Sequence, residues 1–205
     1  MIVHGKRCIF IHINRCAGNS MEEILRPFTQ GKFGLQSPYP SRSAKHLNAI
    51  EHRNAAHRLA WRDYYKFSFV RNPWDKMLSY YLLKRRDNKD FKKQYRTFDD
   101  WIKSDFFTLK LPYMHTYRHR KFTNQIDWLT NERGQNQMNF VGRFETIAKD
   151  WATVAARIGV DRKLPHTNKT SHDHYSCYYD DESIEIVRKL FEKDIAYFRY
   201  DFEEA

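Results

Sequence analysis

Three times along this chain a short β-rich apolar run ends in a turn that opens directly into a helix, and this recurrence limits the possible folds more than any other feature. Arg7 to Ile13 (RCIFIHI) is the first run, and it breaks into Asn14-Arg15-Cys16-Ala17-Gly18-Asn19. A helix then opens at Ser20-Met21-Glu22-Glu23, with Ser20 and Glu23 at capping-box spacing and Met21, Ile24, Leu25 and Phe28 on one stripe. Pro27 ends or kinks that helix. Lys66 to Val70 (KFSFV) is the second run, and Asn72 as N-cap with Pro73 at the first helical position starts the next helix. Asn139 to Phe144 (NFVGRF) is the third, followed by a helix through about Ile158. Residues 29–43 read as an irregular loop, 47–62 as one helix, and a C-terminal helix starts near Asp181. Strand, turn and helix in this order predict a parallel α/β sheet flanked by helices, with ligands where strand C-termini meet helix N-termini.

Composition narrows the class. The chain of 205 residues fits one domain, and its 41% hydrophobic and 16% aromatic content argues against disorder. No apolar run reaches the ~18 residues of a membrane span, and the first residues lack a signal-peptide core. Three cysteines without CxxC spacing argue against a disulfide scaffold, so the expectation is a cytoplasmic, membrane-free chain. The formal net charge of +11 points to an anionic partner, although a solvated basic surface gives the same figure.

The two strand-to-helix turns carry the candidate chemistry. In the first, a helix N-terminus, Gly18, the charge of Arg15 and the hydroxyl of Ser20 suit an anion. The G-x-x-x-x-G-K-[ST] pattern of nucleoside triphosphatases is absent, Glu22 and Glu23 weigh against a large anion, and Ser20 could simply cap its helix. In the second, Arg71 ends a strand and Ser79 lies off the apolar stripe of Trp74, Met77 and Leu78. An arginine and a hydroxyl there suit a terminal phosphate, whereas an Arg71–Asp75 pair and an idle surface serine would be the plainer account.

These segments resemble a known family. IFIHINRCAGNSMEEIL is similar to the 5′-phosphosulfate loop (usual form IHIPKTGGTS) of carbohydrate sulfotransferases of the bacterial and Golgi type, which include chondroitin and dermatan sulfotransferases. FVRNPWDKMLSYY resembles their 3′-phosphate motif, and KHLNA around His46, NQIDWL around Gln125, NFVGRFETIAKDW, LPHTN, HYSCYYDDESIEIV and DIAYFRYDF continue the likeness. The resemblance implies one sulfotransferase domain over 1–205 with a P-loop NTPase-like sheet, in which 84–138 forms a basic, aromatic excursion on the acceptor side. It implies 3′-phosphoadenosine 5′-phosphosulfate as donor and a hydroxylated acceptor, of glycan type, with no metal and no nucleic acid. Arg15, Cys16, Ala17, Gly18, Asn19 and Ser20 then match the 5′-phosphosulfate loop, and Arg71 with Ser79 the 3′-phosphate site. Asn14, Arg15, Cys16, Ala17 and Asn19 depart from the usual Pro, Lys, Thr, Gly and Thr.

Sulfuryl transfer needs a base for the acceptor hydroxyl, and His46 matches the family's KH-x-x-A histidine. Arg15 would neutralise charge growing on the leaving phosphate, Lys45 would help bind acceptor or sulfuryl group, and Arg143 would bind nucleotide or acceptor or pair with a carboxylate such as Glu145. Lys84-Arg85-Arg86 and Arg118-His119-Arg120-Lys121 form either an acidic-substrate groove or solvated faces. His166, His172, His174 and Cys177 do not match a recognised zinc pattern, and Cys16 reads as a small-residue replacement rather than a reactive thiol. The rival readings are a donor-binding pseudoenzyme, a nucleic-acid-binding module and a nucleotide kinase or triphosphatase.

Overall fold

The structure is a computed structural model in which residues 1–29, 46–110, 121–165 and 173–204 are described. The chain divides into two compact units, Met1–Arg71 with Gln125–Thr167 and Asn72–Asn124 with Asn168–Ala205.

The first unit is built on a four-stranded sheet in the order β1 (Ile2–Val3), β2 (Cys8–Ile11), β3 (Tyr65–Val70), β4 (Phe140–Arg143). β1 runs antiparallel to β2, while β2–β3 and β3–β4 are parallel, with Ile11 opposite Ser68 and Val70 opposite Arg143. Every residue of β2 is buried, which is why its sequence is a continuous apolar run rather than an alternating one. The hydroxyl of Ser68, itself fully buried, donates to the Ile11 carbonyl at 2.8 Å, so this polar residue is satisfied inside the sheet. Gly142 is required by packing: a Cβ there would stand 2.5 Å from the Phe69 ring.

The expected α/β class and parallel sheet are what the chain adopts, and the differences lie at element ends. The first helix, α1 (Gly18–Leu25), begins two residues before Ser20, because Ala17 turns the chain in the left-handed region. Ser20 therefore sits in the first turn and the Ser20–Glu23 capping box does not cap the helix start. The single helix expected over 47–62 is two, α2 (Ala49–Ala55) and α3 (Arg58–Asp63). Asn48 and Glu51 form a capping box at the start of α2, and the His57 ring accepts from the Leu59 amide at 3.3 Å to restart the chain as α3. α7 (Ile147–Ile158) ends on Gly159 at φ 66°, a left-handed stop that suits glycine.

The second unit is helical. α4 (Pro73–Asp87) starts as the sequence predicts, with the Asn72 side chain accepting from the Trp74 amide at 3.1 Å and Pro73 in the first turn. α5 (Lys89–Gln94), α6 (Phe98–Ile102), α8 (Asp181–Leu190) and α9 (Glu192–Phe198) follow, so the predicted C-terminal helix is broken at Phe191. The high aromatic content has a structural use here. Trp101, 4% exposed, meets Tyr81, Phe107 and Phe122 at ring separations of 5.7, 4.8 and 6.2 Å. These rings interlock with one another in a core, which is the opposite of a platform displayed for base stacking.

Asp180 caps α8 by accepting from the Ser183 amide at 2.9 Å and also pairs with Lys103, which holds its carboxyl down at about 2. A depressed carboxylate stabilises the folded state above its unfolded pKa near 3.8 and loses that contribution as pH falls toward 2. We expect Asp180→Ala to cost about 1 kcal/mol near neutral pH, mostly through the lost cap because the ion pair is half-exposed. Urea melts of both proteins at decreasing pH should converge below 4; a gap that stays constant into strong acid contradicts this assignment.

Candidate functional site

Because β2, β3 and β4 are mutually parallel, the chain leaves all three at the same edge of the sheet. The segment His12–Ala17, then Arg71, then Phe144 thus emerge at the end where open α/β sheets bind ligands. The loop after β2 is unusual in its backbone. Arg15 and Ala17 both lie in the left-handed region, at φ 66° and 57°, where a non-glycine residue costs about 1–2 kcal/mol. Backbone of this kind persists when its surroundings over-determine it, and three contacts do so here.

Gln125, fully buried, makes the first. Its side-chain oxygen accepts from the Arg71 amide at 3.0 Å and from the Cys16 thiol at 3.3 Å, while its Nε2 donates to the Arg71 carbonyl at 2.8 Å. One side chain thereby clamps the end of β3 to the turn after β2. Arg71 makes the second: its Nη1 donates to the Arg15 carbonyl at 3.1 Å, and its guanidinium stacks 3.9 Å over the Phe144 ring. The third is Gly18. A Cβ at this position would lie 2.0 Å from the Cδ2 and Nε2 of His12, so the helix can start here only with a bare Cα against that ring.

His46 completes the cluster. Its Nδ1 donates to the His12 carbonyl at 3.1 Å, and since a carbonyl only accepts, Nδ1 carries the hydrogen and the neutral ring has its lone pair on Nε2. The Asn14 side-chain amide donates to that Nε2 over 3.4 Å. The His46 ring meets the His12 ring edge-on at 4.5 Å. His12 in turn donates from Nδ1 to Glu22 Oε1 at 2.6 Å, and both are almost wholly buried. An arginine pair, a helix start and a histidine with a fixed acceptor nitrogen at one sheet edge can hold an anion and take a proton beside it.

The model of the sulfotransferase family matches residues 1–201. The chain belongs to the sulfotransferase family. Its chemistry is therefore that of a transferase moving a sulfuryl group from a sulfonate donor to a hydroxyl-bearing acceptor. It is also similar to an uncharacterized protein of Archaeoglobus fulgidus, 30% identical over 124 residues, which is 60% of this chain and 92% of that protein. No solved structure matches.

The first unit of this sulfotransferase contains Arg15, Cys16, Ala17, Gly18, Asn19, Ser20, His46, Arg71 and Arg143 among the expected site residues. Cys16 is 1% exposed, and its thiol donates to Gln125 Oε1 at 3.3 Å and lies 3.5 Å from the Asn14 carbonyl. Arg143 ends β4, and its amide donates to Asp150 at 2.7 Å. Ser79 belongs to the second unit, on α4, and at 2% exposure it is not a surface residue. In that unit the Lys121 ammonium lies 5.1 Å from the rings of Tyr80 and Phe122, and burial together with Lys84 pushes it down to about 8. Lys45, Arg118, His119, Arg120, His166 and His172 lie outside the described residues. Among the described residues no group of three His, Cys, Asp or Glu could hold a metal ion, and no helix is long and apolar enough to cross a membrane.

His12, Glu22 and Gln125 were not singled out as site residues by the motifs. A histidine inside the apolar run IFIHI with a glutamate ten residues on is the signal that points to the first two; Gln125 lies in NQIDWL, a segment that carries the family likeness without giving this residue a task.

The loop geometry sets a paired expectation. Gly18→Ala must displace a ring that is held by Glu22 and His46, so we expect a loss of about 3 kcal/mol in urea unfolding. Ala17→Gly instead relieves left-handed strain and should gain about 0.5–1 kcal/mol after the entropic cost of glycine. Equal midpoints for the two variants would contradict the loop as described.

Proposed function

We propose that this sulfotransferase uses 3′-phosphoadenosine 5′-phosphosulfate as donor and a carbohydrate hydroxyl as acceptor, with both units forming one domain over 1–205. The observation that carries this reading is the cluster at the sheet edge, where Gln125 ties the Cys16 turn to Arg71. The motifs that resemble a 5′-phosphosulfate loop and a 3′-phosphate site are thereby held to each other through one buried side chain. The turn Arg15–Ser20 takes the 5′-phosphosulfate at the start of α1, where the positive end of the helix dipole favours an anion. Arg71, stacked on Phe144 and clamped at its backbone, presents a pre-ordered guanidinium to the 3′-phosphate. The role of Ser79 at the same phosphate rests on the resemblance and is read through Ser79→Ala. Lys45 and Arg143 are proposed for the acceptor.

The donor supplies an activated sulfate, so the chain's task is to position, to neutralise charge and to take a proton. The acceptor oxygen approaches sulfur opposite the leaving phosphate oxygen. Nε2 of His46 accepts the acceptor proton as the new O–S bond forms, and the side chain of Arg15 balances the charge that appears on the phosphate. Two substitutions relative to the family's usual loop bear on this. Arginine for lysine at 15 brings a planar fork in place of a point charge, and asparagine for proline at 14 brings an amide to the base itself.

The donor site is tested by thermal shift. 3′-Phosphoadenosine 5′-phosphate should raise the melting temperature far more than 5′-AMP does, since the 3′-phosphate is the group Arg71 holds. Arg71→Ala should weaken the first ligand by about 2–4 kcal/mol while 5′-AMP binding changes little. Equal shifts from the two nucleotides overturn the donor assignment.

His46→Ala separates binding from chemistry. With labelled donor and a panel of glycans and hydroxylated metabolites, the variant should keep product-nucleotide affinity yet lose about 10²–10⁴ in turnover. Turnover of the unmodified chain should rise with pH through one ionisation, because only neutral imidazole takes a proton. A folded His46→Ala protein with undiminished turnover removes histidine from the base role, and a chain that binds donor but transfers to nothing on the panel is a pseudoenzyme.

A further inference from the structure

His12 meets Phe10, Gly18, Glu22 and His46 at the sheet edge although no motif assigns it a task. One face of its ring stacks on Phe10 at 5.7 Å, its edge supports the bare Cα of Gly18, and its carbonyl accepts from His46 Nδ1 at 3.1 Å. Its own Nδ1 is held by Glu22 at 2.6 Å, with His12 3% and Glu22 6% exposed. Burying such a pair is a poor way to stabilise a fold, since apolar side chains of similar volume do as well or better. Its geometry, however, does something apolar residues cannot. His12 stands just beyond β2 and Glu22 lies within α1, so the pair staples the strand end to the helix across the whole loop. The held ring meets the His46 ring edge-on at 4.5 Å, and the His12 carbonyl, as acceptor, decides which nitrogen of His46 carries the hydrogen.

We infer that His12, locked by Glu22, is a positioning residue for His46: it keeps the base in the Nδ1–H tautomer, with the accepting Nε2 set at a constant distance from the loop at Gly18. This rests on the reading of His46 as the base. The two histidines have separate tasks. His46 exchanges the proton, while His12 never meets the acceptor and acts through its carbonyl and ring edge. The arrangement parallels the use of a carboxylate to orient a histidine, with a backbone carbonyl interposed between the carboxylate-held ring and the working one.

The test is long-range 1H–15N spectroscopy of the full chain above the imidazole titration range, with the His46 signals assigned from their loss in His46→Gln. The unmodified protein should show His46 as the Nδ1–H tautomer. Glu22→Gln keeps volume and a hydrogen-bonding group but removes the charge, and it should convert His46 to a mixture of tautomers. Its affinity for 3′-phosphoadenosine 5′-phosphate should stay within about twofold of the parent, since orientation of a second residue rather than binding is what changes. Should Glu22→Gln fail to fold, Glu22→Asp serves, with a retracted carboxylate and a smaller change in the same direction. The inference is overturned if His46 is Nε2–H in the unmodified chain, or if its tautomer is unmoved in a folded Glu22 variant. A failure of the base reading shows itself differently, as turnover that survives His46→Ala with the tautomer result intact.

Discussion

Parallel pairing of β2, β3 and β4 is the constraint on which the first unit depends. A strand that ran the other way would send its loop to the opposite edge and part Arg71 from the turn at Arg15. With all three aligned, the residues after Ile11, Val70 and Arg143 share one edge, and short-range forces can assemble them. Gln125 then works as a surrogate strand residue. Its amide makes with the Arg71 backbone the two-bond exchange that a neighbouring strand would make, while still receiving the Cys16 thiol. Each partner is buried, so each bond has a value well above that of a solvated one, and leaving either Arg71 group unpaired would cost about 1–3 kcal/mol.

The strained turn between β2 and α1 follows from that assembly. Arg15 and Ala17 occupy backbone conformations that glycine adopts without cost, and the family's usual loop does carry a glycine at the position of Ala17. The chain keeps the conformation regardless because Gly18 cannot move away from His12, Cys16 cannot leave Gln125, and the Arg15 carbonyl is held by Arg71. The departures at 15 to 17 are therefore absorbed locally. Cys16 loses nothing in volume by turning inward, and Ala17 adds only a methyl group at an angle the loop already imposes.

How far this was legible in the sequence differs by element. β2 and β3 and the starts of α4 and α8 were readable because apolar runs, Asn72-Pro73 and the acidic residues near Asp181 act through local physics. The short antiparallel β1 carries too few residues for a periodic signal. The break between α2 and α3 has no Gly or Pro to announce it; a ring nitrogen of His57 makes it. The start of α1 lies two residues before the one that the Ser20–Glu23 spacing predicts, because the left-handed Ala17 turns the chain into the helix there. In the cluster at the sheet edge, Arg15, Gly18, His46 and Arg71 are the residues to which the motifs point. His12 and Glu22 are not among them, since a histidine in an apolar strand reads as core, and a glutamate in a first helical turn reads as a dipole partner. Gln125 depends on contacts with residues 54 and 109 positions away, which no window on the sequence contains.

On the proposed reading of His46 as the base, the Asn14 amide gives the arrangement around that ring its direction. A base whose lone pair pointed into protein would be inert, and one left entirely to water would be free to rotate. Here Nδ1 is anchored on a backbone carbonyl at 3.1 Å, while Nε2 receives a neutral amide over the longer span of 3.4 Å. The two contacts are unequal in the useful sense. The shorter one sets the ring plane and the tautomer; the longer one is the weaker, because hydrogen-bond strength falls quickly beyond the usual 2.7–3.2 Å, and in the proposed reaction an incoming hydroxyl replaces it. A proline at position 14 has no side-chain donor, so this placeholder is peculiar to a chain with asparagine there. Under the proposed role of His46, one of the departures from the usual loop, Asn14, is thus what keeps the accepting nitrogen paired before a hydroxyl arrives.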